Sequence, residues 1–181
     1  MDAAATHGAS QRPAAWEHPR VTDVRLTVSA VKDLGDFGRL QALHEAAVRH
    51  LWDGRLDELT PGMRALTVLF AVAGEIDNGG FAALMYNSTG RWTSEAIRAA
   101  RLVGSEQHAQ VFERFVEMAL EGDAEMDDDS RNARLEAMSD SEETALEALD
   151  DEFYALPSIE RALSAYVGAR PDQFFSDAPT P

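Results

Sequence analysis

The 181-residue sequence contains no cysteine, so disulfide bonds and thiolate metal sites cannot contribute to its structure. A cysteine nucleophile is excluded for the same reason. Lysine is almost absent as well: of the 16 basic residues, Lys32 is the only lysine and the rest are arginine. The polar chemistry of this chain must therefore come mainly from carboxylates, arginines, histidines and amides.

Long apolar runs are also missing. The most apolar uncharged stretch, Ala65–Ala73, is far shorter than the ~18 residues that cross a membrane. The start of the chain, Met1–Trp16, lacks the basic and then apolar layout of a signal peptide. We therefore expect a cytoplasmic protein with no membrane partner.

Alternating apolar and polar residues, the signature of a strand, occur convincingly only at Val24–Ala30. From Asp36 onward apolar residues recur at helical spacing, with Gly54, Gly104 and Gly122 as helix ends. The pattern predicts an all-α, single-domain helical bundle of seven to nine helices. We predict an N-terminal extension at residues 1–35, a helical domain at 36–175 and a tail at 176–181. The extension is expected to be largely disordered, with a short extended arm at Val24–Ala30.

Motifs for metal or covalent chemistry are incomplete. His44-Glu45 opens a zinc-type H-E-x-x-H motif, but Val48 occupies the second histidine position. A calcium-type loop starting at Asp123 has Asp128 where glycine is needed. We predict no metal site, no cofactor and no enzymatic activity.

The acidic excess is large and local. The net charge is −16, and residues 121–160 carry fifteen acids against two bases, a net charge of −13. A surface of this kind repels nucleic acid and attracts basic proteins. Direct binding of nucleic acid is therefore not expected, whereas a basic protein partner is.

The amphipathic segment Glu142–Leu156 places its acids opposite Leu146, Leu149 and Phe153. One interpretation is a solvated face that keeps the protein soluble. The other is that a row of carboxylates, ~5–6 Å apart on one helix face, imitates the phosphates of DNA. The candidate partner-binding residues are Asp127, Asp128, Asp129, Glu136, Asp140, Glu143, Glu147, Asp150 and Asp151.

The stretch Gly74–Gly90 follows the apolar segment and contains Asn78-Gly79-Gly80, residues that enter left-handed conformations at low cost. We expect this stretch to end the buried helix and redirect the chain. A purely structural corner is one interpretation, in which Glu75 accepts hydrogen bonds from nearby backbone N–H groups. A binding site built from Glu75, Asp77, Asn78, Tyr86 and Asn87 is the other.

The same stretch resembles the bacterial DNA-mimic protein family, an acidic all-helical domain most of whose members have no assigned role. The residues that carry the resemblance are Glu75, Asn78, Gly79, Gly80, Phe81, Tyr86, Asn87, Ser88 and Gly90, followed by the Ala-rich Ala96–Gly104. By inspection the resemblance extends from about Asp36 to Phe175.

The resemblance implies a homodimeric protein that occupies the DNA-binding surface of a basic transcription regulator or nucleoid-associated protein. Two alternatives remain at this stage. One is a small-molecule-binding or enzymatic domain that uses the Glu75–Asn87 corner. The other is an acidic interaction or immunity-type protein whose partner is unrelated to DNA.

Deleting Met1–Arg20 should leave the melting temperature unchanged, because this segment has no apolar periodicity to bury. Circular dichroism of the truncated and full-length chains would measure this. A fall of several degrees would contradict the prediction.

Overall fold

The computed structural model describes residues 24–178, and within that range the chain forms eight α-helices with no strand. The prediction of an all-α bundle is confirmed. The helices are α1 (Val28–Val31), α2 (Asp36–Trp52), α3 (Pro61–Tyr86), α4 (Thr93–Leu102), α5 (Glu106–Ala119), α6 (Asp128–Glu136), α7 (Asp140–Ala155) and α8 (Ile159–Ala169). Short 3₁₀ turns occupy Leu56–Glu58, Ser88–Trp92 and Pro171–Gln173.

The N-terminal arm is extended only as far as Thr27. Leu26 forms a parallel bridge with Phe175, and the backbone N–H of Val28 donates to Asp177 Oδ1 at 2.8 Å. The alternation at Val24–Ala30 predicted a longer extended arm, but Val28–Val31 forms a helical turn. An extended segment without a partner strand leaves its backbone groups unpaired, whereas a helical turn pairs them locally. Residues 1–23 and 179–181 lie outside the described residues, so the division of the chain at residue 36 stays a prediction.

Helix α3 lies at the centre of the bundle and packs against α2, α4, α6, α7 and α8. Its start follows from the sequence, because Thr60 Oγ1 accepts from the Met63 N–H at 3.2 Å and Pro61 occupies the first turn. Leu66, Leu69 and Ile76 are completely buried. An apolar surface on all sides of α3 is therefore what makes it the central element.

Helix α3 is long and apolar enough to cross a membrane by length and composition alone, although it contains no unbroken apolar run of that length. Half of the most apolar window is buried inside the bundle. A core helix meets the same criterion, so this is weak evidence for a span.

Helix α3 is broken at the predicted corner. Gly79 has an extended φ of −170°, whereas Gly80 has a φ of +68°, in the left-handed region that favours glycine. After this break Phe81 is fully buried, with its ring stacked 4.8 Å from Phe115 and edge-on to Phe153 at 6.0 Å. The break thus turns the last part of α3 so that an aromatic cluster joins it to α5 and α7.

The break is held by α7. The backbone N–H of Phe81 donates to Asp150 Oδ1 at 2.7 Å. A Cβ on Gly80 would lie only 2.3 Å from Asp150 Oδ2, so there is no room for a side chain at this position. The Asp150 carboxylate therefore acts as an N-terminal cap for the second part of α3.

Gly80→Val should lower the free energy of unfolding by about 2 kcal/mol or more, because it adds a β-branched side chain at positive φ and against Asp150. Urea unfolding would measure the loss. Gly74→Ala is the control: this glycine is helical and nothing lies within 4 Å of its added Cβ. The control should be neutral or stabilising by up to about 1 kcal/mol. Equal stability of the two variants would contradict the role assigned to Gly80.

Candidate partner-binding surface

Six of the nine predicted partner-binding acids are exposed side chains that make no hydrogen bond or ion pair with any described residue. They are Asp129, Glu136, Asp140, Glu143, Glu147 and Asp151. Three of them, Glu143, Glu147 and Asp151, follow one another at four-residue spacing on α7, and we call these three the acidic stripe. The opposite side of α7 is buried through Leu146, Leu149 and Phe153. The stripe must therefore face away from the bundle.

Two of the nine acids serve α6. Asp127 caps this helix by accepting from the Ser130 N–H at 2.8 Å, which explains why α6 begins at Asp128. Asp128 forms ion pairs with Arg91 and, at 2.8 Å, with Arg131. Burial would raise the pKa of Asp128, but the hydrogen bonds from Arg131 and Arg91 outweigh it and lower the pKa.

Asp150, the ninth candidate, is half-buried and points toward the break in α3. Burial raises its pKa, the Phe81 N–H acts in the opposite direction, and the neighbouring Asp151 and Glu147 raise it further. The sequence places Asp150 with the outward acids of α7, whereas the structure uses its carboxylate to cap another helix.

Glu142 joins α6 to α7. It forms a capping box with Ser139 by accepting from the Ser139 N–H at 2.8 Å, and it forms an ion pair with Arg134 Nη2 at 2.5 Å. The Ser139 backbone N–H, the Ser139 hydroxyl and then Arg134 lower the pKa of Glu142 to about 2. The capping box also moves the start of α7 to Asp140, two residues before the predicted start.

Three polar side chains of the corner are hydrogen-bonded to one another. Glu75 accepts from Asn87 Nδ2 at 2.6 Å and from the Thr89 hydroxyl at 3.1 Å. Its donors are thus side chains, and not the backbone N–H groups expected from the sequence. Because Glu75 is already hydrogen-bonded to Asn87 and Thr89 within the corner, this arrangement favours a structural corner over a binding site. Tyr86, Asn78 and Ser88 are exposed beside it.

Sequence reasoning missed Arg131, which is completely buried. Its guanidinium donates to the carbonyl oxygens of Met85 at 3.3 Å, Met126 at 2.6 Å and Asn87 at 3.2 Å. These bonds satisfy carbonyls at the end of α3 and in the loop before α6. The sequence feature that could have indicated a special role is that Arg131 is one of only two bases in the acidic residues 121–160, the other being Arg134.

Gly90 is required beside this arginine. A Cβ at this position would lie 2.2 Å from the Leu84 carbonyl oxygen and 2.6 Å from Arg131 Nε. The corner motif therefore leaves space for the Arg131 side chain. Since Arg131 belongs to α6, the corner also helps to position that helix.

Among residues 24–178, no three His, Asp or Glu side chains come together in a group that could hold a metal ion. His44 is instead half-buried against Phe70, with ring centroids 4.9 Å apart. Burial lowers the pKa of His44.

Comparison with known proteins gives a family match over residues 57–170, to the DMP19-like proteins. The chain belongs to this DNA-mimic family. The match spans α3 to α8 and so includes both the corner motif and the whole acidic segment, residues 121–160. No curated protein and no solved structure matches the chain.

The pKa of Glu142 generates a pH prediction. Its folded pKa of about 2 is below the ordinary 4.5, so its contribution to stability is fully present above about pH 4.5 and is lost as the pH falls toward 2. Glu142→Gln should therefore melt below the wild type near neutral pH, and the difference should shrink across that window. Melting curves at several pH values would measure it. Glu143→Gln, whose carboxylate has no described partner, is the control, and the same pH-dependent difference in both variants would contradict the assignment.

Proposed function

We propose that this protein binds a basic transcription regulator or nucleoid-associated protein and occupies the surface with which that partner binds DNA. The observation that carries the proposal is the acidic stripe: three exposed carboxylates on one helix face without a compensating base among the described residues. The family supports DNA mimicry in general. The stripe supplies a specific surface for it.

The spacing of the stripe supports this role. Four residues of α-helix advance by ~6 Å, so Glu143, Glu147 and Asp151 form an evenly spaced row of negative charges. This separation is comparable with that of successive phosphates along a DNA strand. An array of lysine and arginine side chains arranged to contact phosphates could therefore contact the stripe.

The stripe also carries an energetic cost in the free protein. Like charges four residues apart on a helix destabilise it by roughly 0.2–0.5 kcal/mol per pair. Several other acids of the protein are paired with arginine: Glu95 is bound by Arg64 and Arg98, and Glu152 by Arg114. A cationic partner would remove the repulsion along the stripe. The loss of this repulsion would then contribute to the free energy of binding.

As part of the same proposal, two copies of the chain associate so that their acidic faces form a longer track. This element is supported by the resemblance to the family. A longer track would contact more cationic groups and strengthen the dependence of binding on salt.

The test is a pull-down from the native lysate with the wild type and with Glu143→Lys/Glu147→Lys/Asp151→Lys. The triple variant should weaken capture of the basic partner by about 100-fold or more, because three attractive contacts become repulsive. Its folded stability should stay within about 0.5 kcal/mol, since these side chains have no described internal partner. Wild-type binding should weaken steeply with salt, and duplex DNA should compete with it.

A matched control reverses three exposed acids outside the acidic segment, Asp33, Glu45 and Asp57, and has the same net charge. This control should retain binding. A partner that binds the protein and DNA simultaneously would contradict mimicry and support an interaction unrelated to DNA.

A further inference from the structure

A small cleft of about 110 Å³ opens where α3, α5, α7 and α8 meet. Its polar groups come from all four helices, and Phe153 and Leu156 contribute to its apolar wall. The polar lining residues are Asp77, His108, Tyr154, Ser158 and Glu160. None of these residues belongs to the acidic stripe.

The two carboxylates of the cleft have no cation of their own. Asp77 makes no hydrogen bond or ion pair with a described residue. Burial raises its pKa, and the negative charge of Glu160 raises it further. Arg161 follows Glu160 in the chain and lines a neighbouring cleft with it, but it does not line this one and forms no ion pair with Glu160 among the described residues. The cleft therefore presents two neighbouring carboxylates, and the charge of Glu160 disfavours ionisation of Asp77.

His108 gives the cleft an unused polar atom. Its side chain is only 3% exposed, and Nδ1 shares a hydrogen bond of 2.7 Å with the Ser105 hydroxyl. The other ring nitrogen has no hydrogen-bond partner among the described residues. Burial lowers the pKa of His108, and Glu160 opposes that shift, so the ring is neutral near pH 7 and does not repel a cation.

The cleft continues the acidic face of α7. Tyr154 lies one turn beyond Asp150, and its hydroxyl donates to the Ile76 carbonyl oxygen at 2.6 Å. Burial raises the pKa of Tyr154, and the negative charges of Asp150 and Asp77 raise it further. The Tyr154 ring remains half-exposed at the end of the stripe.

We propose that this cleft receives one arginine side chain of the basic partner, with Asp77 and Glu160 binding its guanidinium group. The proposal rests on the proposed function. Two carboxylates match the planar fork of arginine donors, and the unpaired nitrogen of His108 supplies one more polar contact. Arginine is also less strongly hydrated than lysine, and its stem and guanidinium face can contact Leu156 and the Tyr154 ring.

The cleft and the stripe then have different tasks. Exposed charges guide association and give it salt dependence, whereas recessed groups that lose water on binding hold the complex together. Binding of arginine also relieves the repulsion between Asp77 and Glu160. Because protonation of Asp77 competes with the guanidinium, binding should tighten as the pH rises through the raised pKa of Asp77.

The first experiment compares partner binding by the wild type, Asp77→Asn/Glu160→Gln and Glu45→Gln/Asp57→Asn. The control pair removes the same charge from exposed positions of α2 and the following 3₁₀ turn. The cleft variant should dissociate faster and bind at least about tenfold more weakly, as expected for the loss of an anchoring contact, while the control stays within about twofold. Equal losses in both variants would overturn the proposal.

The second experiment does not need the natural partner. N-acetylarginine methylamide is titrated into the ¹⁵N-labelled protein, with the neutral citrulline analogue as the matched probe. Amide shifts should concentrate at Asp77, His108, Tyr154 and Glu160 with the arginine probe alone, and Asp77→Asn/Glu160→Gln should abolish them. Shifts spread along the acidic stripe, equal shifts with citrulline, or no shifts would overturn the proposal. A positive probe result without capture of any basic protein would instead contradict the proposed function.

Discussion

The hydrogen bond from the Phe81 N–H to Asp150 is the interaction on which the arrangement of this bundle depends. It forms where α3 breaks at Gly80, and it joins the central helix to the acidic helix α7. The break directs Phe81 into the aromatic cluster with Phe115 and Phe153, so the cap and the apolar packing act on the same junction. Loss of the carboxylate would leave a half-buried N–H without a partner as well as loosening α7.

The acids of this protein fall into three groups that differ in the groups surrounding each carboxylate. Asp127, Asp128 and Glu142 bind N–H groups or arginines, and their pKa values are lowered. Asp150 is half-buried and Asp77 is exposed at the cleft; both lie near other carboxylates, and their pKa values are raised. The acidic stripe is exposed and has no described partner. The net negative charge therefore does not have a single effect. Some carboxylates stabilise the fold, some oppose it, and others remain available to a partner.

Local signals in the sequence were sufficient for most of the fold. Thr60-Pro61, Ser139–Glu142 and the glycine pair each act within one turn of helix, so their consequences could be predicted without knowing the tertiary structure. The capping role of Asp150 could not be predicted in this way. Its hydrogen-bond donor lies 69 residues away, and helical periodicity does not reveal contacts between helices. The burial of Arg131 and the meeting of Asp77, His108 and Glu160 were beyond prediction for the same reason.

The link between Gly80 and Asp150 also explains how a structural motif can accompany a DNA-mimic surface. The resemblance to the family is strongest at the corner, while the charges proposed to bind a partner lie on α7. In the structure these are not separate features: Gly80 leaves space for Asp150, and Asp150 fixes the rotation of α7 about its axis. With Asp150 held inward, residues 143, 147 and 151 are presented outward along one row, and Tyr154 reaches the cleft. The corner therefore determines the direction in which the acidic helix displays its charges, although the corner residues need not contact the partner.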